Sequence, residues 1–189
     1  MSNYAYVATR ARSRRSRLLP AEAYNQLLNL EHAEIARYIQ DLEYRREIDR
    51  YGSTLSGADL IETALVDNLA KDVGDFLSFS KGKLRDILHV YAEKYRIENL
   101  KNIVRGINQN MDKQNLERLV CPINDSDKEL YNKLYDSKTV EDMISSLEGT
   151  SYYNPLKKAL EARNSDSLQP LEDALDLIYY QSFENCLIN

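Results

Sequence analysis

Apolar side chains in this chain recur at steps of three and four, the spacing that stacks them on one face of an α-helix. Leu27, Leu28, Ile35, Tyr38, Ile39 and Leu42 form the first such stripe. Ahead of them the pattern predicts a helix from Tyr4 to Leu19, stopped by Pro20, which fits the first turn of a following helix. Gly52, Ser53, Thr54, Ser56 and Gly57 predict a loop, and Leu60, Ile61, Leu65, Leu69, Val73 and Phe76 predict a long helix over 58–79. A break near Gly82 precedes a further helical stretch through Leu84, Ile87, Leu88, Tyr91, Tyr95, Leu100, Ile103 and Val104, with Gly106 as its expected stop. A short helix is predicted around Leu116 and Leu119. After it Cys121-Pro122 and a polar run to Asp127 mark a boundary, with Ser126 or Asp127 as the cap of the next helix. The expectation is an all-α protein divided into 1–122 and 123–189.

The second half echoes the first. Ile35, Ile39 and Leu42 match Val140, Ile144 and Leu147 at one offset, and Glu62, Ala64 and Leu65 match Glu172, Ala174 and Leu175 at a slightly larger one. A repeat of this length suits duplicated helical domains rather than a solenoid. The second copy is expected to be unfinished, which predicts apolar faces left open around Leu171, Leu175 and Ile178.

Composition narrows the class. The 189 residues contain 43% apolar and 29% charged side chains, with six glycines and four prolines, which is enough apolar material for a core and too few breakers for many short strands. Two cysteines without CxxC spacing exclude a disulfide framework or a local zinc site and fit a reducing cytoplasm. No window reaches the ~20 apolar residues a membrane-spanning helix needs. Charge is unevenly spread: Arg10, Arg12, Arg14, Arg15 and Arg17 stand in the first twenty residues with no acid, although the chain as a whole carries a net charge of −5. The cluster could serve as a phosphate contact, a membrane-surface contact, a protein-docking face, or a solvated face paired with the chain's own acids; the membrane use would want Trp or Phe, where this helix offers only Tyr4, Tyr6 and Val7 before the arginines. An acidic remainder without a recognition motif argues against nucleic acid.

Catalytic signatures are missing. The sequence has no GxxxxGK[ST], GxGxxG, HExxH or GxSxG, so neither a nucleotide cradle nor an acyl-transfer or zinc-hydrolase core is in view, and no cofactor, metal or small-molecule substrate is expected. His32 and His89 lack a second ligand at local spacing. Glu43 and Glu47, among Arg45, Arg46 and Arg50, read as a solvated face with weak ion pairs. Tyr152-Tyr153 and Tyr179-Tyr180 read as half-buried packing rather than a base-stacking surface.

Three segments carry a resemblance. Tyr4-Ala5-Tyr6-Val7 with the arginines and Ser16-Arg17-Leu18-Leu19, the run from Glu93 to Arg105, and Leu147-Glu148-Gly149-Thr150-Ser151-Tyr152 are together similar to the C subunits of the archaeal and bacterial V/A-type rotary ATPases, which are related to the d subunits of the eukaryotic V-type. The resemblance implies three helical copies about a pseudo-threefold axis, forming a funnel; this chain would hold one copy and part of another, a truncated or shortened form. It also implies a non-catalytic central-stalk protein on the cytoplasmic side of a membrane complex, joining shaft subunits of the D/F type to the proteolipid ring. Arg14, Arg15, Arg17, Lys101 and Arg105 are the interface residues expected on that basis. The competing expectation is a helical adaptor that binds acidic proteins through residues 10–17.

Overall fold

The structure, a computed structural model, describes residues 3–163 and 167–188. Among these there are eleven α-helices and no strand. The chain forms two compact units, Met1–Leu84 and Arg85–Asn189.

The first unit holds α1 (Tyr4–Arg15), α2 (Ala21–Leu27), α3 (His32–Gln40), α4 (Arg45–Tyr51) and α5 (Gly57–Phe79). Helix α3 starts with a capping box, Glu31 and Glu34 each bonding the other's backbone N–H. Helices α3, α4 and α5 pack on one another, burying Ala36, Ile39, Ile48, Leu60 and Ala64. Helix α1 ends at Arg15, earlier than predicted, and a turn covers the residues up to Pro20. Glu47 departs from the expected solvated face: it is 3% exposed, with Oε1 3.9 Å from Lys71 Nζ and Oε2 without a hydrogen-bond partner. The stripe spacing of α4 sets the inward residue at Glu47 beside Ile48, a one-residue rotation that charge type alone does not reveal.

The second unit holds nearly all of α6 (Lys83–Asn108), then α7 (Lys113–Arg118), α8 (Asp125–Leu134), α9 (Val140–Ser145), α10 (Tyr153–Glu161) and α11 (Gln169–Ile188). Its core draws on Ile97, Leu100, Ile103 and Val104 of α6, Leu134 of α8, Met143 and Ile144 of α9, Leu147, Leu156 of α10, and Leu171 and Leu175 of α11. Helix α10 packs against both α9 and α11, as α4 does against α3 and α5.

Gly106 is not the stop of α6. A Cβ there would lie 2.3 Å from Leu116 Cδ2 and 3.2 Å from Met111 Sδ, so the glycine admits α7 against α6. The helix ends instead in a Schellman motif at Asn110, whose φ is 55°, with Met111 N–H donating to the Gly106 carbonyl and Asn110 N–H to that of Ile107. The cap of α8 is Asn124, whose side chain accepts from Asp127 N–H, rather than Ser126 or Asp127. The stretch 121–127 therefore lies within the second unit, between α7 and α8.

The faces expected to be open are closed. Leu171 and Leu175 are 0% exposed and Ile178 is buried, because α11 turns that stripe onto the core shared with α6 and α10. Leu177, Tyr180, Phe183, Leu187 and Ile188, on the opposite side of the same helix, are the exposed ones.

Candidate interface residues and the brace of the second unit

The five cations expected at an interface fall into different surroundings. Helix α1 lies along the C-terminal end of α5: Arg14 donates to Asp72 Oδ1 and Asp75 Oδ2, each at 2.5 Å, and its guanidinium sits over the Phe76 ring at 5.1 Å. Arg10 lies over Tyr6 and Phe79 in the same way, while Asn3 donates to the Phe79 carbonyl and accepts from Lys81 N–H. Burial holds Asp72's carboxyl above its ordinary pKa although Arg14 pulls the other way. Arg17 pairs with Glu43 at 3.1 Å, both half-exposed. Arg15 is exposed and no carboxylate partner for it is seen among the described residues.

In the second unit Lys101, 7% exposed, donates to Asp176 Oδ1 at 2.6 Å, with Glu98 at 3.8 Å. One turn on, Arg105 forms a two-pronged pair with Glu172, both hydrogen bonds 2.7 Å. The arginine's hydrogen bonds hold the Glu172 carboxyl below its ordinary pKa, and the same bonds raise Arg105. Because 101 meets 176 and 105 meets 172, α6 and α11 run antiparallel along this seam. Three of the five cations, Arg14, Lys101 and Arg105, thus clamp a helix of their own unit.

A second cluster was not singled out as a site from the sequence, although its residues sit inside the segments that carried the resemblance. Tyr152 donates its hydroxyl to Glu93 Oε1 at 2.6 Å, and Arg96 donates to Glu93 Oε2 at 3.3 Å and to Asp127 Oδ1 at 2.8 Å. Asp127 Oδ2 accepts from Ile123 N–H. Asn99 bridges the same loop, donating to the Cys121 carbonyl and accepting from Cys121 N–H, and Asn102 donates to the Leu119 carbonyl. Burial disfavours the charge on Arg96, but Asp127 and then Glu93 overcome it and its pKa is raised. Burial, reinforced by the Glu93 carboxylate, raises Tyr152.

The Leu-x-x-Thr-x-Tyr segment explains how Tyr152 arrives there. Leu147 is 0% exposed in the core, Gly149 takes φ 85° where a side chain would be strained, and Thr150 Oγ1 donates to the Leu147 carbonyl and accepts from Tyr152 N–H. The turn aims the tyrosine at α6. Chemically, the cluster pairs every charge it buries, so it holds helices in register and offers no unpaired acid, base or nucleophile. Among the described residues no three potential metal ligands gather, and no helix is long and apolar enough to cross a membrane.

The residues from Val7 to Cys186, which include both clamps and the whole brace, match the profile of the ATP synthase (C/AC39) subunit family over 7–186. The chain belongs to that family of rotary ATPase subunits. Among curated relatives, the A-type ATP synthase C subunit of Haloferax volcanii is 36% identical over 188 residues, 99% of this chain and 54% of the relative. The Archaeoglobus fulgidus protein of the same name is 34% identical over 178 residues, 94% of this chain and 51% of its own length. That of Methanosarcina acetivorans is 35% identical, covering 96% of this chain and 49% of its own length. The chain thus spans about half the length of these C/AC39 relatives.

Proposed function

We propose that this chain works as a non-catalytic component of an A-type ATP synthase, joining the central shaft to the membrane proteolipid ring on the cytoplasmic side. Membership of the C/AC39 family over 7–186 is the observation that carries the proposal. Torque passes between two partners without slip only through walls that do not yield, and the antiparallel clamps and the fully paired Glu93–Arg96–Asp127 brace supply such walls. Shaft subunits of the D/F type and the ring are its partners in this reading.

Of the interface residues, Arg15 and Arg17 are the ones free to meet an acidic partner, since Arg17's pair with Glu43 is exposed and weak. Arg14, Lys101 and Arg105 act mainly by keeping helices in place. The test is a pull-down of the chain with a purified shaft protein and, separately, with detergent-solubilised ring, at low and high salt. Salt-sensitive retention that drops at least tenfold in an Arg15→Glu, Arg17→Glu double variant supports the proposal. Absence of retention by a helical, folded sample overturns it and favours the adaptor alternative.

A further inference from the structure

The two units differ at one place that the sequence match between them makes comparable. Glu62 and Leu65 of α5 match Glu172 and Leu175 of α11, and the same offset carries Ile61 onto Leu171. On α11 these positions are covered: Leu171 and Leu175 are 0% exposed beneath the second half of α6, and Glu172 is held by Arg105. On α5 Glu62 and Leu65 are open, while Ile61 is half-buried against the first unit's own core. Leu65 is 37% exposed, and Glu62 is exposed with no cation on it among the described residues.

Around them lies a groove of about 430 Å³ between α3 and α5, lined by Ile35, Ala58, Ile61 and Leu65 with Glu62 and His32 at its edge. The contacts seen between α1 and α5 all fall from Asp72 to Phe79, at the far end of α5, so α1 leaves this stretch bare.

We propose that the groove between α3 and α5 seats a helix of a partner chain, running antiparallel to α5, with an aliphatic stripe and an arginine that pairs with Glu62. The second unit displays the chemistry of such an occupant: Leu100, Ile103 and Val104 share one core with Leu171 and Leu175 while Arg105 reaches Glu172. A second copy of this chain does not supply it. Its own α6 face is already buried, and the open apolar side of α11 travels with Asp173 and Glu184 and with no lysine or arginine anywhere in the helix, which would set acid against Glu62. The inference stands apart from the coupling role, because it compares only the two units of this chain.

The probe is a synthetic, helix-stapled peptide with the sequence of residues 96–109 of this chain, fluorescently labelled and titrated with the full chain while anisotropy is read. Saturable binding is expected, weakened at least tenfold by Glu62→Arg and recovered when the peptide carries the Arg105→Glu change. Leu65→Asp is expected to abolish it, with helical circular dichroism unchanged. Absence of binding by folded protein overturns the proposal. So does binding indifferent to Glu62, which is the outcome if the peptide merely displaces the chain's own α6 from the second unit.

Discussion

Glu172 shows how far a single side chain can be followed. Its carboxyl is held below the ordinary glutamate range by Arg105's two hydrogen bonds, so the unfolded chain binds its proton more readily than the folded one. The stability it contributes is present above the ordinary glutamate pKa and is lost as pH falls through the lower, folded value. Glu172→Gln should therefore flatten the acid limb of a plot of stability against pH, measured by urea unfolding from neutral pH downward, while Arg15→Gln leaves that limb as it is. Gly106 makes a steric test. With Leu116 Cδ2 2.3 Å from where a Cβ would stand, Gly106→Ala should cost about 1–3 kcal/mol, despite alanine's better helix propensity. A neutral or stabilising effect in chemical denaturation would mean that α7 gives way freely. From the sequence Gly106 looked like punctuation, since a glycine near the end of an apolar stripe signals a stop, and only the neighbouring helix shows that it is a contact.

Helices themselves were legible, because their apolar stripes repeat at a period the backbone imposes; α5, expected over 58–79, runs Gly57–Phe79. Which side of a helix is covered was less so. Helix α11 is apolar on two sides, and periodicity cannot choose between Leu171, Leu175 and Ile178 on one and Leu177, Tyr180 and Phe183 on the other; packing against α10 and α6 makes the choice. Caps shift for a related reason: Asn124 wins over Ser126 and Asp127 because Asp127 is drawn to Arg96, a partner 31 residues away. The N-terminal arginines were visible as a cluster, but Arg14's commitment to Asp72 and Asp75, like those of Lys101 to Asp176 and Arg105 to Glu172, is long-range and leaves no local trace. The matched leucines give a test of coverage at equal chemistry. Leu175→Ala should cost about 2–5 kcal/mol and Leu65→Ala under about 1 kcal/mol. Equal costs would mean that the two helices are covered alike in solution.

For the molecule as a whole, the prominent apolar surface is the outer side of α11, where Tyr180 is 64% and Leu187 71% exposed. Apolar patches on this scale are unusual on monomers and promote association. Light scattering should show a mass that rises with protein concentration, and a Phe183→Lys, Leu187→Lys double variant should hold the mass of a single chain across the same range. An unvarying single-chain mass in both would show that the face tolerates water. The family assignment reached this scale more readily than the packing did, since three short segments in order identify a lineage, whereas the open groove beside Glu62 emerges only when one helix triplet is compared with the other.

The seam in which Lys101 and Arg105 grip α11 also sets where the chain can be cut. Trypsin needs a basic residue on backbone that opens into its cleft, and the bonds after Lys101 and Arg105 lie in mid-helix, their side chains held by Asp176 and Glu172. The bond after Arg17 lies outside any helix, in an exposed turn beyond α1, and the pair that arginine makes with Glu43 is itself exposed. Brief digestion of the native chain should therefore clip the N-terminal arginines first and leave a core that begins near Leu18, with cleavage inside α6 appearing only at the rate of global unfolding; early cuts at 101 or 105 in a mass-spectrometric time course would mean that the seam opens on its own.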